Sequence, residues 1–351
     1  MNCIRNVSIL TGGGGSRSSG KSDVTASPQA SVWMALSAFT MAEILLSLTI
    51  IGVVAAITLP SLTGNINERT WNTQRKALFA RFSQAIALMP ALNGYGIDNP
   101  DTAAETFVTA GLSKVLKINN ICDNEHLEDC GFPSKIMPFD GGSSNGGAVE
   151  LTNIKTLLAY NDTFNSSNNY LTPDTKAAAF ETANGESILI YYNPSCVSNR
   201  NDASTHYSQP YMCANFIYDL NGSKGPNTMG KDMGFISALY ASDPVLATAV
   251  PLPKNYGRNY TNGIGINQHN VNNVCKQEDP ESRAPNRNEL AALFYNKTLS
   301  GMPLNYSGYF WSSSPAPSSD PQAKWILHFA RGHWLVSSRG TAEPIRCVKR
   351  F

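Results

Sequence analysis

The segment from Phe39 to Leu59 constrains this chain more than any other part of the sequence, because it is almost entirely apolar and its only charge is Glu43. As a helix rising 1.5 Å per residue it would be about 32 Å long, close to the roughly 30 Å hydrocarbon core of a bilayer. We therefore expect a transmembrane helix. A carboxylate in such a helix is costly unless it is paired, so Glu43 is a candidate functional residue. A plain membrane anchor is the alternative, and it leaves Glu43 unexplained.

The residues around the apolar segment stand in a fixed register with Glu43. Ala38 precedes Phe39 and Thr40, and Pro60 follows the apolar run. This order resembles the N-terminal signature of the type IV pilin and type II secretion pseudopilin family. That signature has a small residue, then Phe-Thr-x-x-Glu, a long apolar run and a helix-kinking Pro. Ala38 stands where the family usually has Gly.

The resemblance implies processing and assembly. A prepilin peptidase would cleave between Ala38 and Phe39 and N-methylate Phe39, and Glu43 would pair with the free amine of a neighbouring subunit. Pro60 would be the kink of the assembled helix. The implied partners are the peptidase, other pilin or pseudopilin subunits through the N-terminal helix, and the inner membrane before assembly. The implied location is the bacterial inner membrane, as a single-pass protein with its head in the periplasm, and later an extracellular or periplasmic filament.

The helix is predicted to continue beyond the apolar run. Trp71, Leu78, Phe82, Ala85 and Met89 fall on one stripe of a helix, which is typical of a helix packed on a domain. Pro90 is expected to end it. The predicted organisation is a cleaved leader (1–38), a transmembrane or filament-core helix (39–59), its amphipathic continuation (60–90), a pilin-like globular head (91–261) and a C-terminal module (262–351).

The head contains two strand-like runs and a distinctive turn. Ser187–Tyr192 and Cys213–Asp219 are rich in β-branched and aromatic residues, which predicts strands. In the turn that follows, Asp219, Asn221 and Asp232 could supply oxygen ligands to Ca²⁺. A tight turn whose Asx side chains bond the backbone is the favoured interpretation, so calcium is the weaker one and no other cofactor is expected.

The cysteines predict disulfides. Of seven, Cys3 lies in the predicted leader, and the remaining even number is expected in an oxidising compartment. Proximity in sequence favours pairing Cys122 with Cys130, Cys196 with Cys213, and Cys275 with Cys347, although six cysteines allow 15 pairings. Neither the cysteines nor the histidines show the spacing of a metal site.

The C-terminal region carries four short motifs in order. They are Arg283-Ala-Pro-Asn-Arg-Asn-Glu-Leu290, Tyr309-Phe-Trp-Ser-Ser-Ser314, Lys324-Trp-Ile-Leu-His-Phe329 and Ile345-Arg-Cys-Val-Lys-Arg350. Asn286 with Glu289 predicts a capped helix start. This order resembles the bacterial C-type-lectin-like domain of some surface adhesins, which implies a compact α+β module. Trp311 and Trp325 are predicted core residues, and the candidate surface for a glycan or host receptor is His328, Arg331, His333, Trp334 and Arg339.

Composition excludes other classes. Only 15% of the residues are charged, and 27 Lys+Arg against 26 Asp+Glu leave no basic excess for nucleic acid. No catalytic signature is present, so no enzyme is expected.

The predicted fold class is α+β, with a long transmembrane and amphipathic helix packed on an antiparallel-sheet head and a lectin-like module. The predicted function is a filament subunit, a minor or tip pilin with an adhesive head. The alternative is a membrane-anchored surface adhesin that does not polymerise.

Overall fold

The computed structural model describes residues 40–94, 96–97, 103–142, 147–151, 177–193, 211–240, 244–252, 259–260, 264–267, 269–302, 308–329, 332, 334–337 and 342–349. The chain divides into two units, Met1–Leu59 and Pro60–Phe351. The helices are α1 (Met41–Asn93), α2 (Ala104–Thr106, continued by a π-turn over Phe107–Gly111 and a 3₁₀ turn over Leu112–Lys114), α3 (Val271–Glu278) and α4 (Arg287–Tyr295). A further 3₁₀ turn covers Leu127–Cys130.

The strands are short, and most belong to antiparallel pairs. In chain order they are β1 (Ile118–Cys122), β2 (Lys135–Ile136), β3 (Val149–Glu150), β4 (Ala177–Thr182), β5 (Ser187–Tyr192), β6 (Tyr211–Asp219), β7 (Met233–Tyr240), β8 (Pro244–Ala247), β9 (Asn259–Tyr260), β10 (Ile264–Gly265), β11 (Ser282–Arg283), β12 (Tyr309–Pro315), β13 (Lys324–His328), β14 (Trp334–Ser337) and β15 (Val348–Lys349).

Helix α1 corrects the prediction of a membrane anchor. Within the described part of the chain, no helix is both long enough and apolar enough to cross a membrane. The apolar run with described side chains extends from Met41 to Ala56. That is roughly 24 Å of helix, short of the roughly 30 Å hydrocarbon core. The predicted transmembrane helix is therefore wrong, and so is the predicted location as a single-pass inner-membrane protein.

The predicted fold class is wrong for a second reason, since the body is mostly antiparallel sheet with a few helices. A six-stranded sheet has the order β1-β4-β5-β6-β7-β8, and every neighbouring pair is antiparallel. A three-stranded sheet has the order β12-β13-β14, and β11 pairs with β15. From β4 to β8 each strand pairs with the next one along the chain, as antiparallel strands can after a short connection, whereas β1 pairs with β4 across a longer separation.

One face of the large sheet packs against the second half of α1. Leu78, Phe82 and Met89 are buried there, with Phe82 in edge contact with Phe216 of β6 at 4.9 Å between ring centroids. The stripe predicted from helical spacing is thus the buried face of the helix. Its end differs from the prediction, because α1 continues past Pro90 and stops at Gly94, whose φ of 72° suits the left-handed position after a helix.

The other face of the same sheet packs against the C-terminal region. Phe235 of β7 shares one core with Leu293 of α4 and Trp325 of β13. Since both faces are covered, the central strands consist mostly of buried residues, and all six residues of β5 are buried. Residues on both sides of the predicted boundary at 261/262 therefore belong to a common core.

Hydrogen bonds join the same parts, and disulfides close loops within each of them. Asn296, at the end of α4, exchanges hydrogen bonds with Asn215 of β6, at 2.8 and 3.0 Å, and Ser237 of β7 donates to Asn215 at 2.7 Å. Disulfides join Cys122 to Cys130 and Cys275 to Cys347. Cys213 is also disulfide-bonded, and its predicted partner Cys196 lies outside the described residues.

Candidate functional site

The start of α1 is fixed by hydrogen bonds between Thr40 and Glu43. The Thr40 backbone N–H and hydroxyl both donate to Oε2 of Glu43 at 2.9 Å, and the Glu43 N–H donates to the Thr40 hydroxyl at 3.3 Å. This is a capping box, in which the side chains of the cap and of the third helical residue satisfy each other's backbone N–H. The sequence pattern Thr-x-x-Glu contained this signal in addition to the family signature.

The same bonds set the charge of Glu43. The backbone N–H of Thr40 first, and its hydroxyl second, lower the pKa of the Glu43 carboxyl below its usual value. A carboxylate in the first turn is further favoured by the positive end of the helix dipole. Glu43 is therefore ionised at neutral pH, and it is the only charge on the described part of the apolar run.

The apolar run presents aliphatic side chains to solvent on every side of the helix. Their exposed fractions range from 44% for Ile44 to 81% for Met41. Successive residues of a helix are 100° apart, so these positions surround the axis rather than forming one stripe. The exposed residues are Met41, Ile44, Leu45, Leu46, Leu48, Ile50, Ile51, Val53 and Val54.

The hydroxyl groups in this run are already satisfied within the helix. Ser47 donates to the carbonyl oxygen of Glu43 at 2.7 Å, and Thr49 donates to that of Leu45 at 2.5 Å. Because these hydroxyl groups have acceptors within the helix, covering this surface would leave them satisfied.

The other residues of the predicted assembly site are only partly described. Ala38 and Phe39 lie outside the described residues. Pro60 lies within α1, and its side chain is not described.

Those residues of the predicted ligand surface in the C-terminal region that the structure describes are buried rather than exposed. Trp334 is 3% exposed, at 6.4 Å and edge-to-face with Trp325, and His328 is 9% exposed, edge-to-face with Tyr309 at 4.8 Å. Arg331, His333 and Arg339 lie outside the described residues.

A cation that the sequence reading missed lies beside these tryptophans. The guanidinium of Arg287, in the first turn of α4, is 4.2 Å from the ring centre of Trp325 and 5.3 Å from that of Trp334. Burial lowers the pKa of Arg287 to about 10. The spacing of these residues along the chain does not predict their contact, because the contact depends on how α4 packs on the three-stranded sheet.

The candidate calcium residues accept hydrogen bonds from backbone N–H groups of their own turn. The carboxylate of Asp232 accepts the backbone N–H groups of Asn227 and Thr228, both at 2.9 Å. Asp219 accepts that of Asn221 at 3.1 Å. Across the described residues, no group of three or more His, Cys, Asp or Glu side chains could hold a metal ion. The geometry fits the turn interpretation, in which Asx side chains bond the backbone.

No family model, curated protein or solved structure matches this chain.

Proposed function

We propose that this chain is a pilin-like filament subunit that assembles through the apolar half of α1. The observation that carries the proposal is the ring of exposed aliphatic side chains over Met41–Ala56. A helix that is apolar on all sides belongs in a buried position, and other copies of the same helix provide one. We further propose a minor subunit, because the bulky body from Pro60 onward would pack poorly if repeated along a filament.

Energetics favour several neighbours over one. Fully burying an aliphatic side chain contributes about 1.5–3 kcal/mol, so covering side chains that are about half exposed contributes roughly 1 kcal/mol each. Association costs about 4–15 kcal/mol in lost freedom of motion. One neighbour covers one side of the helix and gains too little, whereas contacts on all sides of the helix offset the cost. Polymerisation satisfies this condition better than a dimer does.

Glu43 is proposed to set the register of assembly. Its carboxylate would be buried among apolar side chains, and an unpaired buried charge is strongly destabilising. In the proposed filament, cleavage between Ala38 and Phe39 frees an amine on each subunit, which pairs with Glu43 of a neighbour. The order Ala38, Phe39, Thr40 and Glu43 in the sequence supports prepilin-type processing.

Two substitutions test the assembly. Ile50→Lys places a charge in the apolar ring, and Glu43→Ala removes the register charge. Each is expected to reduce incorporation of the full chain into filaments at least tenfold, measured by immunoblot of purified filaments. Leu335→Lys and Glu105→Ala are the matched controls, since Leu335 is 37% exposed on the body and Glu105 is an exposed carboxylate.

Equal incorporation of Ile50→Lys and Leu335→Lys would refute the proposed packing. Processing is checked separately by mass spectrometry of the mature N-terminus. We expect methylated Phe39, and a mature chain that begins at another residue would contradict this part of the proposal.

A further inference from the structure

A polar cavity of about 240 Å³ lies where α1 meets two other segments of the body. On the helix side it is lined by Glu68, Arg75 and Lys76, and on the other side by Glu281 and Lys349. The helical residues are separated by seven and eight positions, which places them on one side of α1. Three cations and two carboxylates therefore face one small space.

Arg75 is the buried member of this group, at 4% exposure. Its guanidinium donates to the side chain of Asn72 at 2.8 Å and to the carbonyl oxygens of Gly230 and Lys231 at 2.9 and 2.6 Å. Its Nε–H has no acceptor, and no carboxylate among the described residues forms an ion pair with it. A buried guanidinium without a counter-charge is expensive, so an anionic group from outside the described chain would stabilise it.

The charges around Arg75 are only weakly paired with one another. Lys76 and Glu281 form no ion pair within 4.0 Å in the part of the chain that the structure describes. Lys349 and Glu68 are 4.0 Å apart with both side chains largely exposed, which is a weak contact. Opposite charges thus line the same cavity with one weak ion pair between them, and a ligand that carries both signs would bridge them.

We propose that this cavity binds a small zwitterion of the amino-acid class. The ligand's carboxylate is held by Arg75 and Lys76, where a guanidinium and an ammonium both donate charge-assisted hydrogen bonds. Its ammonium group is held by Glu281 and Glu68. A simple anion would leave these two carboxylates without a partner, and a simple cation would leave the basic groups without one. The volume is below the 300–1,000 Å³ of sites for drug-sized ligands, which suits a small molecule.

The test is a thermal shift and calorimetric titration of the full chain with the standard amino acids, and with acetate and methylammonium as single-charge probes. At ten times its Kd, a ligand that binds only the folded state favours folding about elevenfold. We expect at least one amino acid to raise the unfolding midpoint, and neither single-charge probe to do so at the same concentration.

Two variants assign the binding to this cavity. Glu281→Gln and Lys76→Met change exposed side chains, and each is expected to weaken binding at least tenfold. Glu105→Gln and Lys117→Met are the controls elsewhere on the body and should leave binding unchanged. The proposal is overturned if no amino acid shifts the midpoint, if acetate acts as strongly as the amino acid, or if Glu281→Gln binds like the unmodified chain.

Discussion

Replacing Asp219 by Asn should change how the stability of the body depends on pH. Asp219 ends β6 and is fully buried. Its Oδ1 accepts the Asn221 N–H, while Oδ2 has no hydrogen-bond partner among the described residues. Burial first, and the nearby carboxylate of Asp232 second, raise the pKa of Asp219 from 3.8 to about 7. Asn has nearly the same shape and cannot ionise.

The sign of the effect follows from proton linkage. A carboxyl group with a raised pKa binds its proton more tightly in the folded chain than in the unfolded chain. Its contribution to the free energy of unfolding is therefore greatest below pH 3.8, falls as the pH rises, and is lost above about pH 7. At about 1.36 kcal/mol per pKa unit the full span is on the order of 4 kcal/mol. Between pH 5 and pH 8 the loss is roughly 2–3 kcal/mol.

Urea unfolding at pH 5, 6, 7 and 8 measures this loss. The difference in free energy of unfolding between Asp219→Asn and the unmodified chain should move by roughly 2–3 kcal/mol in favour of Asn across that range. Asp129→Asn is the control, because Asp129 is exposed. If the unmodified chain and Asp219→Asn show parallel profiles, Asp219 is not the buried proton-binding group that the structure indicates.

Two further predictions concern the links within the body. Replacing Cys275 and Cys347 together by Ser should lower the free energy of unfolding by about 4 kcal/mol, since the bridge closes a loop with a sequence separation of 72. Reduction of the unmodified chain should give at least as large a loss in urea titrations, because it also opens the Cys122–Cys130 bridge. Asn296→Ala should cost about 1–3 kcal/mol because it leaves Asn215 and Ser237 buried with fewer partners. A change below 0.5 kcal/mol in thermal or urea unfolding would show that this network is not stabilising.

Features that depend on neighbouring residues were predictable from the sequence. β5 has the bounds that its Ile- and Tyr-rich run predicted, and α4 begins with a complete capping box between Asn286 and Glu289. Both signals are local, because a cap joins residues three apart and strand propensity is set within a few positions. The turn that begins at Asp219 likewise carries its Asx residues in sequence order.

Features that depend on distant segments were not predictable. The sequence predicts Trp334 on a ligand surface, but β13 and Arg287 of α4 cover it. Arg75 gave no sign of burial, since its acceptors at Gly230 and Lys231 are about 155 residues away in sequence. An Arg or Trp fits equally well in an exposed or a buried position of a helix or strand. Whether its side chain is exposed or buried depends on which other segment packs against that helix or strand.

The packing of α4 also changes how the function has to be tested. Because Leu293 and Phe235 share one core, and Asn296 bonds Asn215, removing the C-terminal region would uncover a whole face of the large sheet. That exposes apolar side chains and leaves buried polar groups without partners, two of the main causes of severe destabilisation. A fragment of 262–351 would lose the same contacts from the other side. Loss of filament incorporation by a truncated chain would therefore report unfolding, and substitutions in the exposed ring around Ile50, made in the full chain, separate assembly from stability.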